Sequence, residues 1–373
     1  MARRLAAAGP PREHLVLAGG GHTHALVLRM WAMQPRRRPH AWITLVNRRS
    51  TALYSGMVPG LVAGLYARED CAIDLRHLAD RAGVSFVEAE ITGLDLAARE
   101  LQLQGRPPLR FDWLSLDVGA VVGAAGGSAD GAAPGDGSAA SLCGGVETHT
   151  TSGVGLPGSL QPLPVMPRPE MPRPVKPLSV MHLPVKPLEP FLQWCARADA
   201  DARQPLPVTG AVTVRGSGAA AVEVALALQA RGQSLTLQTR PGGLALGSRR
   251  ANRLLAGVLR RAGIQMRGPG DSTEAPDNSA AAREPCGAGA SAGASIDCTG
   301  SRGPAWLRGS GLPLNQRGRV LTTSTLQVMA QPRIWACGDC GVVEADPRPP
   351  SGVWAVRAAP VLARNLEQAV EGR

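Results

Sequence analysis

Short apolar runs, each ending in glycine or a polar exit, alternate along the chain with longer apolar stretches of helical character. His14–Ala18 (HLVLA) is the first such run, followed by Gly19-Gly20-Gly21, by the apolar stretch Ala25–Met33, and by a second run, Trp42–Val46 (WITLV). Strand, glycine turn, helix and strand make a βαβ unit. Beyond it, Ile73–Arg81 predicts a helix, Val84–Glu88 a strand, Gly93–Gln104 a hairpin and Trp113–Val118 a buried strand. The opening pattern then returns: Ala211–Val214 reads as a strand, Gly216-Ser217-Gly218 as a turn, Ala219–Arg231 as a helix and Ser234–Gln238 as a strand. A helix over Ser248–Ala262 follows, and another is expected around Leu188–Asp201.

Two stretches break the periodicity. From Ala120 to about Pro174 the chain is Gly, Ala and Ser, then Pro, and Gly268–Ser295 is a second low-complexity stretch. Both read as inserts. The Pro174–Leu178 segment is duplicated at Pro184–Leu188, but only once, so it founds no solenoid. The predicted fold class is α/β, with two Rossmann-like dinucleotide-binding domains, the first of them discontinuous, and low-complexity inserts. The expected division is an FAD-binding domain over 1–119 and 301–373, an insert over 120–175, and an NAD(P)-binding domain over 176–300 with its own insert at 267–295.

Composition adjusts this picture in three places. With 373 residues, 44% hydrophobic but only 3% aromatic, the core must be built from Leu, Val and Ala. The formal charge of +11 suits an anionic partner. Its clusters are short, however (Arg36–Arg38, Arg48-Arg49, Arg249-Arg250, Arg260-Arg261), and lack the interleaved aromatics of a nucleic-acid groove. No nucleic-acid partner is expected; contact with a membrane surface remains compatible with the charge. The seven irregularly spaced cysteines are no secreted disulfide framework. No apolar run is long enough to span a bilayer. An intracellular setting is expected, cytoplasm or an organelle; the Arg- and Ala-rich start, free of acids before Glu13, suits the end of a targeting segment.

The candidate chemistry sits at the glycine turns. A pyrophosphate is anionic, and a tight glycine turn before a helix offers it backbone N–H groups and a partial positive charge. Gly19 and Gly21 meet that need, with His22 and His24 in the same FAD set; His24 holds the third glycine position of the fingerprint, where it has to fit beside the flavin or shift the helix. The second strand ends at Asn47, where an acid would normally take a ribose hydroxyl, and Arg48 follows within reach of phosphate or adenine. An ordinary strand exit is the alternative for both. Gly216, Gly218 and Ala221 form a second fingerprint, with Glu223 on the helix. The next strand ends at Arg240 without an acid, which admits NADPH as readily as NADH. A structural βαβ turn is the alternative. Near the C-terminus a strand runs into Gly338-Asp339, whose carboxylate suits a ribityl hydroxyl. Gly119 joins the FAD set and Gly300 the NAD(P) set. Cys337-x-x-Cys340 brackets the Gly-Asp turn and reads as structural, and His22 and His24 lie too close to a glycine turn for metal ligands. No metal is expected.

In order along the chain, these motifs resemble the FAD-dependent pyridine nucleotide oxidoreductases of the type II NADH dehydrogenase kind. The resemblance leans to the branch fused to selenide, water dikinase. It is carried by Ala18–His24, Tyr54–Gly60 (YSGMVPG), Val185-Lys186-Pro187, Cys298-Thr299-Gly300, Pro304–Leu307, Gly338-Asp339 and Gly352–Pro360. It implies that Gly56, Met57 and Pro59 lie beside the isoalloxazine. It also implies that Ala358-Ala359-Pro360 opens a helix aimed at the flavin. The implied activity passes hydride from NAD(P)H to FAD, and electrons on to a quinone or other small acceptor. A separate selenide, water dikinase is the alternative partner, with this chain as a degenerate FAD-binding module. Ser217 and Ala220 depart from the family's glycines. The sequence ends at Arg373, before the C-terminal segment that relatives use to cover the flavin. No residue stands out as a catalytic acid or base.

Overall fold

The computed structural model describes residues 13–122, 180–196, 212–269, 271 and 293–372. The body of both predicted inserts, the start of the chain and the end of the helix expected to reach Asp201 lie outside the described residues.

The first sheet has five parallel strands. In space they run Ile334–Ala336, Trp113–Leu116, His14–Ala18, Trp42–Asn47, Ser85–Glu88. Its apolar runs are continuous because both faces are covered. Leu15, Leu17, Ile43 and Leu45 pack with residues of the helices His22–Met33 and Gly352–Val370. The alternate positions Val16, Ala18, Val46, Leu114 and Leu116 pack on the other face, with Leu94, Leu101 and Leu103 of an antiparallel meander. The second sheet repeats the plan, with parallel strands ordered Met181–Pro184, Ala294–Asp297, Val212–Arg215, Leu235–Gln238, Gln265–Arg267.

In the first sheet the chain starts on the central strand, winds outward on one side, then crosses to the other; in the second it does the same from the central strand Val212–Arg215, after first laying down the edge strand Met181–Pro184. Such a reversal leaves a crevice at the carboxyl ends of the two strands where the direction changes. In the first sheet those strands are His14–Ala18 and Trp113–Leu116. In the second they are Val212–Arg215 and Ala294–Asp297. Both glycine turns lie at these switch points.

Three local expectations need correction. The helix expected from Ile73 begins at Leu75, because Ala72–Asp74 pairs with Thr51–Leu53 and the Asp74 side chain then caps the helix at His77 N, 2.9 Å away. The hairpin over Gly93–Gln104 is a three-stranded meander. Arg106–Arg110 is its exposed edge, a place that tolerates Pro107 and Pro108. The last helix starts at Gly352, capped by Ser351, so Pro360 stands exposed in its interior rather than at its opening.

Candidate functional site

The first turn is built so that a side chain at any of its three glycines would collide. Gly19 has φ +93°, and a Cβ there would lie 2.3 Å from Asp117 O. At Gly20 it would meet Leu75 at 2.2 Å, and at Gly21 the Asp117 carboxylate at 2.3 Å. The Asn47 side chain accepts from Gly20 N at 2.8 Å and donates to Arg49 O at 2.8 Å. The strand-end amide therefore fastens the turn. Arg48 turns away and pairs with Glu90 at 2.5 Å.

His24, expected beside the flavin, is buried behind the turn instead. Its Nδ1 lies 2.7 Å from Gly19 O and its Nε2 2.8 Å from Ser115 Oγ. Nδ1 donates to the carbonyl, so the neutral ring bridges the turn to the neighbouring strand and takes the place of the missing third glycine. Burial pushes its pKa down to about 4.

The late Gly-Asp turn reaches the same point. Gly338 has φ +60°, and a Cβ there would lie 2.1 Å from Asp117 Oδ1. Asp117 is 3% exposed and accepts from His24 N at 3.1 Å. Burial raises its carboxyl to about 6, against the lowering effect of the His24 amide. One carboxyl thus touches both turns. In the sequence it shows only as the tail of a strand.

Other segments close around this point. His22 Nε2 accepts from Ser55 N at 3.3 Å, and the His22 ring meets Tyr54 edge-on at 5.1 Å. A Cβ at Gly56 would lie 3.1 Å from the Tyr54 ring, and one at Gly352 3.7 Å from Ser55 Oγ. Thr23 Oγ1 donates to Ala355 O at 3.1 Å. The Tyr54–Met57 segment, the first turn and the start of the last helix are therefore neighbours. Met57 caps the short helix Val58–Val62 and Pro59 lies in its first turn, and Gly119 (φ +71°) faces open space. Pro360 is not among them.

Two cations tie down the Gly-Asp turn, and neither was singled out as a site residue from sequence. Lys186 Nζ lies 2.5 Å from Asp339 Oδ2. Lys186 follows the edge strand of the second sheet, so this pair links the two Rossmann units. Arg319 is buried and donates to the carbonyls of Asp339 (2.9 Å), Arg348 (3.0 Å) and Gly341. The thiols of Cys337 and Cys340 both donate to Leu116 O at 3.5 Å. Burial pushes the Cys340 thiol up to about 12 and the Cys337 thiol upward also. They are inert structural donors. Among the described residues no group of three or more His, Cys, Asp or Glu could hold a metal ion, and no helix is long and apolar enough to cross a membrane.

The second turn is more open. A Cβ at Gly216 would lie 2.9 Å from Ala221 Cβ and 3.0 Å from Cys298 O, whereas nothing lies within 4 Å of one at Gly218. Ala221 is fully buried, as close helix–strand packing requires. Ser217 Oγ accepts from Arg240 N at 2.9 Å, placing the exposed Arg240 beside the turn. Glu223 is exposed on the helix, and Gly300 sits against Arg317, 3.4 Å from its added Cβ.

Both turns fit a dinucleotide's diphosphate: glycines at the switch point, a helix start behind them, and no room for side chains in the first. The sequence model of the pyridine nucleotide-disulphide oxidoreductase family matches residues 178–359. No curated protein matches the chain. Among solved structures, reduced CoADR-RHD of Bacillus anthracis superposes with TM-score 0.64 at 15% identity, over 96% of this chain and 57% of that one. NADH:rubredoxin oxidoreductase of Clostridium acetobutylicum gives 0.61 at 13% identity, over 96% and 75%. The sulfide:quinone oxidoreductase of Aquifex aeolicus gives 0.57 at 14% identity, over 96% and 77%. The chain thus spans little more than half the length of the first of these, and likeness at such identity speaks for fold. This chain has the FAD/NAD(P)-binding oxidoreductase fold, and its residues 178–359 carry the pattern of the pyridine nucleotide-disulphide oxidoreductase family.

Proposed function

We propose that this chain is an FAD-dependent oxidoreductase that draws hydride from NADPH or NADH and passes electrons to a small acceptor such as a quinone. One observation carries this reading: the first glycine turn and Gly338-Asp339 meet at Asp117, while a second, open turn lies at the other sheet's switch point. Bound FAD would supply the hydride acceptor and the electron store. The chain would hold its diphosphate on the Gly19–His22 backbone and a ribityl hydroxyl on Asp339. Gly216, Gly218 and the helix behind them would hold the nicotinamide nucleotide. Cys337 and Cys340 offer no reactive thiol to relay electrons, which supports direct transfer to a diffusible acceptor.

The second site's surroundings favour NADPH. Between Glu223 and Asp271 the sequence has no acidic residue, so nothing there repels a 2′-phosphate. Arg240 is hinged to the turn through Ser217. A charge-assisted bond from an arginine to phosphate is worth about 1.5–3 kcal/mol, tenfold or more in affinity. Purified protein should be yellow, and under anaerobic conditions NADPH should bleach it at lower concentration than NADH. Arg240→Ala should bring the two nucleotides level by weakening NADPH alone. A colourless protein that no added flavin restores would defeat the reading.

One observation favours a second reading, in which the chain is a flavin-binding module serving a separate selenide, water dikinase. Asp339 is already paired with Lys186, and the first helix start already holds Asp117. Yellow protein that neither nucleotide reduces is the outcome this reading expects.

A further inference from the structure

The first turn already holds an anion of its own. Asp117 follows the strand Trp113–Leu116, and its carboxyl accepts amide N–H groups of Thr23 and His24 at the start of the helix His22–Met33. These amides belong to the same helix start whose partial positive charge attracts a diphosphate. Asp117 O also accepts from Gly21 N at 3.2 Å, so the residue fixes the turn through both its carbonyl and its carboxyl.

The charges facing this carboxyl are few. From the first helix come His22, whose charge would favour the carboxylate, and His24, neutral with both ring nitrogens engaged. From the late turn come Asp339, which disfavours a second negative charge, and the protonated thiols of Cys337 and Cys340. Lys186 is spent on Asp339, and Arg319 on backbone carbonyls with Asp339 beside it. A diphosphate at this turn would place two further negative charges beside a buried carboxylate that has no lysine or arginine of its own, only the His22 imidazole. In a medium of low dielectric the acid relieves that repulsion by taking a proton. A carboxylic acid still accepts the amide bonds, so the turn keeps its shape.

We propose that Asp117 is a positioning residue for the flavin nucleotide, and that its buried carboxyl takes up a proton when the cofactor diphosphate binds. The inference rests on the FAD reading above. Burial already leaves the group at about 6, close enough to neutral pH for the uptake to be small in cost.

The test is calorimetric titration of flavin-free protein with FAD at pH 7.5 in buffers of different ionisation heat, which counts protons. Wild type should take up about one proton per FAD, and its affinity should fall about tenfold per pH unit above neutrality. Asp117→Asn keeps an acceptor for the helix amides but cannot titrate. It should show no uptake, no pH slope, and tighter binding than wild type at pH 8. His22→Gln should keep the uptake, which separates Asp117 from the neighbouring imidazole. FAD binding by wild type without proton uptake, or undiminished uptake in Asp117→Asn, would overturn the inference while leaving the flavin reading intact. Protein that binds no FAD would overturn both.

Discussion

Gly338→Ala is expected to abolish flavin binding and to cost about 3 kcal/mol of stability. Two effects add. At φ +60° an alanine is strained by about 1–2 kcal/mol. Its Cβ would also stand 2.1 Å from Asp117 Oδ1, and relieving such an overlap in a packed site costs about 1–3 kcal/mol. The carboxyl can retreat only by releasing the His24 amide and disturbing Gly21, so damage at the late turn reaches the first turn directly. The control is Gly218→Ala at the second turn. There φ is −91° and nothing lies within 4 Å of the added Cβ, so stability should change by less than about 1 kcal/mol. Urea melts and flavin content of the two variants make the comparison. Equal tolerance at both glycines would contradict the packing described for Asp117.

The second large effect is a pair of opposing pH dependences that wild type conceals. Burial lifts Asp117 from the usual 3.8 to about 6. The folded state therefore holds a proton that the unfolded chain has lost, and stability falls as pH rises from about 4 to 6. Burial drops His24 from 6.5 to about 4. Here the unfolded chain gains a proton that the folded state refuses, so stability falls as pH drops from 6.5 to about 4. Each shift of more than two units is worth about 3 kcal/mol, and the two windows nearly coincide. In wild type they offset one another. Asp117→Asn should leave the His24 slope bare, so that relative to wild type its stability climbs by about 3 kcal/mol between pH 4 and 6.5. His24→Asn, which can still donate to Gly19 O, should show the reverse slope. Urea midpoints measured across this range, as differences from wild type, read both signs. Slopes of the same sign, or none, would mean that one of these groups is not buried as described.

Much of the fold is legible in the sequence because the strands are covered on both faces. Such strands favour apolar residues at nearly every position, and HLVLA and WITLV show it. The glycine turns are legible because the backbone of Gly19 and the crowding at Gly21 exclude side chains. Other features leave no local trace. Asp117 reads as the polar tail of a strand, and only the crossing of the chain brings it to both Gly21 and Gly338. The distance between Lys186 and Asp339 is likewise set by how the two Rossmann units pack. His24 was legible as a departure but not as a remedy, since of its two partners Gly19 O lies in the turn and Ser115 Oγ on the neighbouring strand, far away in sequence. Pro360 misled because proline favours a helix start, while the cap that decides the start is Ser351, well upstream.

Hydrogen exchange of the flavin-free protein, followed as FAD is added, tests most directly whether two distant segments serve one nucleotide. Amides of 19–24 and of 338–341 should gain protection together, at the same FAD concentration, while those of 216–222 respond only to NADPH or NADH. Protection of the first segment without the second would contradict the shared site.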